Sequence, residues 1–401
     1  MNFLSDLAIE LDTKMVLIVM DGLGGLPHPD TGLTELETAH TPNLDAIARE
    51  SACGLTIPIA LGITPGSGPA HLALFGYGPV EFSIGRGALA ATGAGIELGP
   101  DDVAARVNFC TVEAGRVVDR RAGRIATEVN ARLCEKLNAM ALPGGLTARI
   151  VPEKDYRAAL VFSGPGLSDK LADTDPQRVG LEPLECRPLP GAGPEAASTA
   201  ETVNEYVREA ARVLADEQPA NMILLRGFSK LPHLPRVTEL YRMRATGIAS
   251  YPMYRALARL VGMNVIEAAD PFEEKVEALA GAWSDSDYFY VHHKPTDSSG
   301  EDGDFERKVK AIEEVDAGMP GVLALEPDVL VVTGDHSTPA IMKSHSWHPL
   351  PLVLRSRWER TDAVQSFGET ACAAGALGIF PARDLMALML ANAGRLEKFG
   401  A

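Results

Sequence analysis

The sequence of 401 residues lacks any apolar run of the roughly 18–20 residues that a membrane-spanning helix needs. Its five cysteines are scattered and form no Cys-x-x-Cys pair, which argues against a disulfide framework or a cysteine zinc site and favours a reducing cytoplasm. The first residues, MNFLSDLAIELDTK, carry acids and no basic segment, so we expect a short amphipathic helix there rather than a secretory signal.

Basic side chains are also scarce: 37 lysines and arginines stand against 54 aspartates and glutamates, for a formal net charge of −17. That balance argues against nucleic acid and anionic membranes as partners. It does not exclude an anionic small molecule, because a basic pocket can form on an acidic protein.

What the chain does contain is an alternation of buried strands and helices. The run KMVLIVMDG at 14–22 is continuously apolar and predicts a buried strand of a parallel sheet. Further strands are predicted at 221–228, 287–294, 328–336 and 350–356, and helices at 41–53, 198–217 and 304–325. This alternation is typical of an α/β fold in which helices cover a mostly parallel sheet.

The middle of the chain differs from both ends. Between 105 and 163 the predicted strands are shorter, with one helix among them, and 164–200 is rich in proline, glycine and aspartate, as loops and domain edges are. We therefore expect a smaller α+β domain at 105–249, inserted into a larger domain formed by 1–104 and 250–401.

Carboxylate and imidazole side chains follow several of the predicted strands. Asp21 follows the first strand, Asp297 follows another, and Asp335 and His336 follow a third, with His345 shortly after. Ligands bind at the carboxyl ends of parallel strands, and these side chains are ligands that manganese and zinc share. Each also has a structural interpretation as a turn, a helix cap or a satisfied polar group. Taken together they predict a site for two metal ions.

The stretch GITPGSGPAHLALFGYGP at 62–79 places Ser67 between two glycines and two residues before Pro69. Because proline suits the first turn of a helix, we expect Ser67 at or just before a helix N-cap, where free N–H groups and the helix dipole favour negative charge. Two roles fit this position: a helix cap, or a nucleophile activated by metal ions for in-line phosphoryl transfer.

A cluster of arginines follows a predicted strand in VVDRRAGRI at 117–125. Guanidinium groups suit phosphate and carboxylate, although a run of charge is usually a solvated surface. Arg226 ends another predicted strand, and Arg86 lies in a glycine-rich loop at 85–96 that lacks the signatures of nucleotide-binding loops. The predicted substrate-binding residues are Arg86, Asp119, Arg120, Arg121, Arg124, Arg226 and Lys294.

Nine segments then occur in an order that spans nearly the whole chain. They are MDGLGG, TPNLDAIA, TPGSGPAHLALFGYGP, GRGALAATGAGI, ARVNFCTV, VVDRRAGRI, YPMYRALARLVGM, DFERKVKAIEEVD, and GDHSTP with HSWHPLPLVL. With these segments the sequence resembles the archaeal-type cofactor-independent phosphoglycerate mutases of the alkaline phosphatase superfamily. The resemblance implies an alkaline phosphatase-like metal-binding domain with an inserted substrate domain.

The resemblance also implies a reaction, the interconversion of 3-phosphoglycerate and 2-phosphoglycerate in glycolysis without 2,3-bisphosphoglycerate. Ser67 would take the phosphoryl group as a phosphoserine intermediate while glycerate stays and reorients. Arginines of the inserted domain would hold the carboxylate and the phosphate.

Two divalent metal ions are implied as cofactors, with manganese expected first and magnesium, zinc or cobalt as alternatives. The implied ligands are Asp21, Ser67, Asp335 and His336 for one ion, and Asp297, His345 and a histidine four residues after Asp297 for the other. This sequence has Glu301 in place of that histidine. Either Glu301 ligates a harder ion, or His292 or His293 takes the position, or the second ion binds weakly.

Two other functions stay open at this point. One is a phosphotransferase or phosphatase acting on another small phosphorylated metabolite, as a homoserine kinase-like relative would, although no nucleotide-binding signature is present. The other is a non-catalytic scaffold, for which Glu301 is the sole support. The DRRAGR segment favours a mutase, because a mutase must hold glycerate and exclude water between its half-reactions. The sequence is compatible with a monomer and with a homo-oligomer.

Overall fold

The computed structural model describes residues 2–82, 84–142, 145–232 and 234–400, without the side chains of residues 2 and 3. The chain divides into two compact units. The large unit comprises Met1–Ser83 with Leu234–Ala401, and the small unit comprises Ile84–His233.

The regular elements are numbered in chain order. The strands are β1 (Met15–Met20), β2 (Ala52–Ile57), β3 (Val103–Glu113), β4 (Arg116–Asp119), β5 (Thr147–Lys154), β6 (Arg157–Ser163), β7 (Met222–Ser229), β8 (Ala245–Ala249), β9 (Asn264–Glu267), β10 (Tyr288–His293), β11 (Val329–Thr333), β12 (Leu350–Ser356) and β13 (Gly378–Pro381). The α-helices are α1 (Asn2–Leu7), α2 (Glu35–Thr38), α3 (Pro42–Arg49), α4 (Ser67–Leu74), α5 (Arg86–Gly93), α6 (Thr127–Asn138), α7 (Pro194–Val213), α8 (Val237–Leu240), α9 (Pro252–Leu260), α10 (Phe272–Gly281), α11 (Pro295–Asp302), α12 (Phe305–Leu323), α13 (Glu369–Cys372) and α14 (Leu385–Asn392).

The large unit is built on an eight-stranded sheet in the order β13-β2-β12-β11-β1-β10-β8-β9. Strand β12 runs antiparallel to both of its neighbours, and the other adjacent pairs are parallel, so the remaining strands share one direction. Every residue of the central strand β1 is buried, as its apolar run predicts for a strand covered on both faces. The predicted α/β fold with a mostly parallel sheet is therefore confirmed.

The main core of the large unit lies between this sheet and three helices. Val16 and Ile18 of β1 join one apolar cluster with Leu44 of α3, Phe272 of α10 and Ile312 of α12, all almost fully buried. Burying each such side chain contributes about 1.5–3 kcal/mol. This core holds β1 and β11 rigidly, and the loops that follow both strands carry the predicted metal ligands.

The small unit is built on a five-stranded sheet in which neighbouring strands pair antiparallel. Strand β3 is central: β6 pairs along one side of it, and β7 and β4 pair along the other, while β5 adds to β6. Leu133 of α6 and Val203 of α7 pack with Phe109 and Leu160 of the sheet in a second core. The unit is thus an α+β domain with a core of its own.

The predicted domain boundaries at 105 and 249 differ from the observed division at 84 and 233. At the first boundary, α5 packs on β3, because Gly87 has no Cβ that would overlap the backbone of Ala104, and the Ala88 N–H donates to Ser229 Oγ at 2.9 Å. At the second, β8 pairs in parallel with β10, with Ala245 opposite Tyr288, and so belongs to the large sheet.

Two further findings concern the loop before α7 and the character of the helices. Between 164 and 193 the described residues form only an isolated bridge between Leu171 and Pro188, in agreement with that part of the loop predicted at 164–200. Residues 194–200 are not loop but the start of α7. Within the described residues, none of the helices combines the length and the apolar character needed to cross a membrane.

Candidate active site

The predicted metal ligands lie at one edge of the large sheet. Asp21 directly follows β1, Asp335 and His336 follow β11, and Asp297 lies in the first turn of α11 after β10. All four side chains are buried. Because β10, β1 and β11 are adjacent and parallel, their carboxyl ends meet, and the loops after them bring these side chains together.

One group of donors consists of Asp21, Asp335 and His336, whose ligand atoms lie within 4.8 Å of one another. His336 Nε2 is 3.2 Å from Asp21 Oδ1 and 3.2 Å from Asp335 Oδ2. The hydroxyl oxygen of Ser67 lies 3.1 Å from the same nitrogen. The four residues predicted for one metal ion are therefore neighbours in space.

A second group of donors consists of Asp297, His345 and His336, again within 4.8 Å. His345 Nε2 is 3.6 Å from Asp297 Oδ1, and its Nδ1 lies 3.0 Å from the Pro65 carbonyl oxygen. That carbonyl can only accept, so Nδ1 of His345 carries a proton, and Nε2 faces Asp297. Glu301 Oε1 is 3.9 Å from His345 Nε2, on a side chain that is 56% exposed, and is outside this group.

Neither His292 nor His293 lies in the second group. His292 Nε2 is 3.2 Å from Asp21 Oδ2, and its ring stacks on Tyr254. His293 Nδ1 is 3.9 Å from Asp270 Oδ1. Burial lowers the pKa of His292 to about 4 and the pKa of His293 to about 3, so both rings are neutral at pH 7. The structure brings neither ring to Asp297 and His345, so it does not support the alternative in which one of them replaces the missing histidine.

Ser67 is the first residue of α4, and Gly66 is the N-cap without any side-chain capping bond. The helix thus begins earlier than Pro69 suggested, and Ser67 lies inside it rather than at or before its N-cap. Its hydroxyl faces His336 instead of capping the helix. The capping role considered from the sequence is therefore wrong, and the position remains compatible with a nucleophile.

His71, which the sequence reasoning missed, supports Ser67 from the next turn of α4. Its Nδ1 is 2.9 Å from the Ser67 carbonyl oxygen and 3.2 Å from Asp335 Oδ2. Both partners are acceptors, so Nδ1 carries the proton. The spacing of four residues from Ser67 on a predicted helix was the signal that could have revealed it.

The charges of the site are strongly coupled. Burial raises the pKa of Asp21, but the ammonium of Lys294, 2.9 Å from Asp21 Oδ2, and two imidazoles outweigh it, so the pKa lies well below the usual range. Burial lowers the pKa of His336, but Asp335 and Asp21 together raise it to about 9. Lys294 also contacts Asp297 Oδ2 at 2.5 Å. Lys294, predicted to bind substrate, therefore lies beside two carboxylates of the predicted metal ligands.

The donors present fit a divalent cation. Within the described part of the chain, both oxygens of Asp21 and Oδ2 of Asp335 are buried and make no hydrogen bond, although imidazole or ammonium nitrogens lie 2.9–3.2 Å from them. Buried carboxylate oxygens without hydrogen bonds are costly. A cation ligated by carboxylate oxygen and imidazole nitrogen would satisfy them, and those are the donors that zinc and manganese accept.

A separate cavity of about 180 Å³ lies in the small unit. Four of the predicted substrate-binding residues line it, namely Arg86, Arg120, Arg121 and Arg226. Sequence reasoning missed the other lining residues, which are Arg106, Asn108, Tyr156 and Arg157. The cavity is smaller than the roughly 300–1,000 Å³ of sites for drug-sized ligands, so it suits a small anion.

The arginines of this cavity do not all have the same freedom. Arg120 Nε and Nη2 donate to the two oxygens of Asp175 at 3.0 and 2.6 Å, and the Asp175 side chain is fully buried. Burial raises the pKa of Asp175, but Arg120 outweighs it and the pKa is lowered. Arg121 is exposed and lines the cavity, so it is better placed than Arg120 to meet a ligand.

Besides Lys294, two predicted residues are not brought into the cavity, and one has a different setting from that expected. Asp119 accepts from the backbone N–H groups of Arg121 and Gly123 at 2.8 and 2.7 Å, and so shapes the loop. Arg124 is exposed and does not line the cavity. Arg86 begins helix α5 and is not in a loop.

Comparison with known proteins decides the family. The model of the 2,3-bisphosphoglycerate-independent phosphoglycerate mutase family matches residues 48–221. A probable enzyme of that name from Thermotoga neapolitana is 51% identical over 404 residues, covering 100% of this chain and 99% of the relative. The chain belongs to this family. A probable phosphoglycerate mutase of the same kind from Aquifex aeolicus is 49% identical over 412 residues and is covered in full, as is this chain.

Solved structures agree with this placement in the phosphoglycerate mutase family. The cofactor-independent phosphoglycerate mutase from Thermoplasma acidophilum is 32% identical, with a TM-score of 0.75 over 95% of this chain and 100% of that one. A Pyrococcus horikoshii protein is 30% identical, with a TM-score of 0.84 over 98% and 100%. The family resemblance stated from the sequence is confirmed.

Proposed function

We propose that the protein interconverts 3-phosphoglycerate and 2-phosphoglycerate without 2,3-bisphosphoglycerate, as a glycolytic and gluconeogenic isomerase of the cytoplasm. The observation that carries the proposal is the position of Ser67. Its hydroxyl lies 3.1 Å from His336 Nε2, beside two buried carboxylates, in a chain related over its whole length to probable mutases. In this proposal Ser67 is the nucleophile and carries the phosphoryl group while glycerate reorients.

Two divalent ions complete the proposed site. Asp21, Ser67, Asp335 and His336 would hold one ion, and Asp297, His345 and Glu301 would hold the other. When bound, the ions would increase the nucleophilicity of the serine oxygen and stabilise the charge on the transferred phosphoryl group. Manganese is our first choice, with magnesium, zinc and cobalt as alternatives, because Glu301 brings an oxygen where the family resemblance implies a nitrogen ligand.

The protein's own groups around Ser67 support a phosphoryl group there. As the first residue of α4, Ser67 lies where backbone N–H groups are free of helical partners and where the helix dipole favours an anion. His71 donates from Nδ1 to the Ser67 carbonyl oxygen and so fixes this turn against Asp335. The ammonium of Lys294, beside Asp21 and Asp297, would interact with phosphoryl oxygens.

The cavity of the small unit is proposed to hold the carboxylate or the phosphate of the substrate. Arg121, Arg86 and Arg226 line it, and guanidinium groups bind such anions through paired hydrogen bonds. Arg120 would contribute through its ion pair with Asp175, which fixes the position of its neighbour in the chain, Arg121.

The nucleophile is tested by Ser67→Ala, with Ser344→Ala as the control, since Ser344 is an exposed serine next to His345. The first variant should lose isomerisation by at least about a thousandfold, in line with removal of a nucleophile, while its circular dichroism stays unchanged. Mass spectrometry of the quenched wild-type enzyme should find phosphate on Ser67. Substantial mutase activity in Ser67→Ala would disprove the assignment, and phosphate release without isomerisation by the wild type would indicate a phosphatase.

A further inference from the structure

Thr338, in the loop after β11, connects the two groups of metal-ligand side chains. Its side chain is fully buried. The hydroxyl oxygen lies 2.7 Å from Asp297 Oδ1 and 2.9 Å from His336 Nδ1. His336 has donor atoms near both groups, since Nε2 is 3.2 Å from Asp21 Oδ1 and Nδ1 is 4.0 Å from Asp297 Oδ1. Distance alone therefore does not assign His336 to one ion.

The directions of the hydrogen bonds at Thr338 do assign His336 to one ion. A hydroxyl has one proton to donate, and an ionised carboxylate can only accept. The hydroxyl of Thr338 donates to Asp297 Oδ1 at 2.7 Å, and the other oxygen of Asp297 lies 2.5 Å from Lys294 Nζ. Towards His336 the hydroxyl then offers a lone pair, and Nδ1 must carry a proton. Nδ1 carries this proton whether the His336 ring is neutral or positively charged.

Hydrogen bonds to two other segments hold the backbone of Thr338 in place. The Thr338 N–H is 3.0 Å from the Gly24 carbonyl oxygen and 3.2 Å from that of Gly22, in the loop that carries Asp21. The Thr338 carbonyl oxygen accepts from Lys308 Nζ at 2.8 Å, and that buried ammonium also donates to the Gly24 carbonyl at 3.0 Å. A Cβ at Gly22 would overlap Thr338 Oγ1, so the close approach of the two loops depends on this glycine.

We propose that Thr338 is a positioning residue that keeps a proton on His336 Nδ1 and thereby assigns His336, through Nε2, to the ion held by Asp21 and Asp335. The second ion is then left with Asp297 and His345 as buried or half-buried donors, and needs a further ligand such as Glu301. The inference rests on the metal sites of the proposed function, but not on the identity of the substrate.

Two matched substitutions separate the hydroxyl from the packing of the side chain. Thr338→Val keeps the shape and removes the hydroxyl, whereas Thr338→Ser keeps the hydroxyl and removes a methyl group. The metal-free, full-length proteins are titrated with Mn²⁺, and free Mn²⁺ is followed by electron paramagnetic resonance. Thr338→Val should bind the ion held by Asp21 and Asp335 about 10–100-fold more weakly than wild type does, and Thr338→Ser should bind it with nearly wild-type affinity.

The proton itself is observed by NMR on protein labelled with ¹⁵N-histidine, both metal-free and loaded with Zn²⁺. The His336 Nδ1–H signal, assigned by its loss in His336→Gln, should be protected from exchange in wild type and Thr338→Ser and unprotected in Thr338→Val. A packing role predicts the opposite order of the variants, because only serine loses the methyl group. Weaker Mn²⁺ binding by Thr338→Ser than by Thr338→Val, or an unprotonated Nδ1, would overturn the proposal.

Neither readout uses phosphoglycerate, so the two proposals fail separately. A protein that shows the expected order of Mn²⁺ affinities but does not isomerise phosphoglycerate would refute the proposed function alone. A protein that isomerises phosphoglycerate while Thr338→Val binds Mn²⁺ like wild type would refute this inference alone.

Discussion

Replacing Arg120 with methionine should destabilise the small unit, although Arg120 belongs to the segment that most suggested ligand binding. Its guanidinium, on a side chain 27% exposed, makes two hydrogen bonds to Asp175, whose side chain is 0% exposed. Removing one partner of a buried ion pair costs about 3–5 kcal/mol, because the other charge is left buried. Asp175 keeps Arg226 at 3.7 Å and the Gln177 N–H at 2.8 Å, so we expect the lower end, about 3 kcal/mol.

The matched control is Arg121→Met, which removes the same charge from the next residue. Arg121 is exposed, so its loss should change stability by no more than about 0.5 kcal/mol. It should instead raise the KM for phosphoglycerate about tenfold or more, as expected for a lost hydrogen bond to a charged group.

The assay must report on the small unit alone, because a chain of two units need not unfold in one step. All three tryptophans, Trp283, Trp347 and Trp358, are in the large unit, so their fluorescence does not serve. Hydrogen exchange of peptides from β3 and β7, read by mass spectrometry, gives the local opening free energy. Equal losses in the two variants, or a loss below about 1 kcal/mol in Arg120→Met, would refute the reasoning.

Two further predictions concern acid and metal preference. The pKa of Asp175 in the folded protein is lowered from its ordinary value of 3.8, so its ion pair stabilises the small unit above pH 3.8, and this stabilisation is lost as the pH falls below that value. Asp175→Asn should remove this part of the pH dependence of hydrogen exchange. A pH profile that is unchanged in the variant would contradict the prediction. At the site of Asp297 and His345, Glu301→Gln should weaken Mn²⁺ binding, and Glu301→His should shift the metal preference towards Zn²⁺ or Co²⁺. Competitive titration measures both effects, and equal metal affinities in the two variants and wild type would exclude Glu301 as a ligand.

Much of the fold and of the site follows from local sequence patterns. The run MVLIVM is apolar at every position, and this is enough to predict β1 as a strand buried on both faces. The approach of Asp21 to Asp335 then follows, because the ends of adjacent parallel strands meet. Ser67 could be predicted as a site residue for the same reason, because the flanking glycines and the helix start that mark it are adjacent in the sequence.

The features that sequence reasoning missed depend on pairing between distant segments. The apolar run at 221–228 lies within the inserted domain predicted at 105–249, but its local pattern does not show that β7 pairs antiparallel with β3. The contact between Thr338 and Asp297 joins residues 41 positions apart, and the ion pair between Arg120 and Asp175 joins residues 55 apart. Neither pair has a spacing that a helix or strand period would reveal.

The central claim is that this site isomerises phosphoglycerate through bound metal ions. The most direct test strips the protein of metal, adds back Mn²⁺, Mg²⁺, Zn²⁺ or Co²⁺ singly, and follows 3-phosphoglycerate by ³¹P NMR without any bisphosphoglycerate. We expect metal-dependent formation of 2-phosphoglycerate with little free phosphate. Release of phosphate without isomerisation, full activity in the stripped protein, or no turnover with any of the four ions would contradict the account.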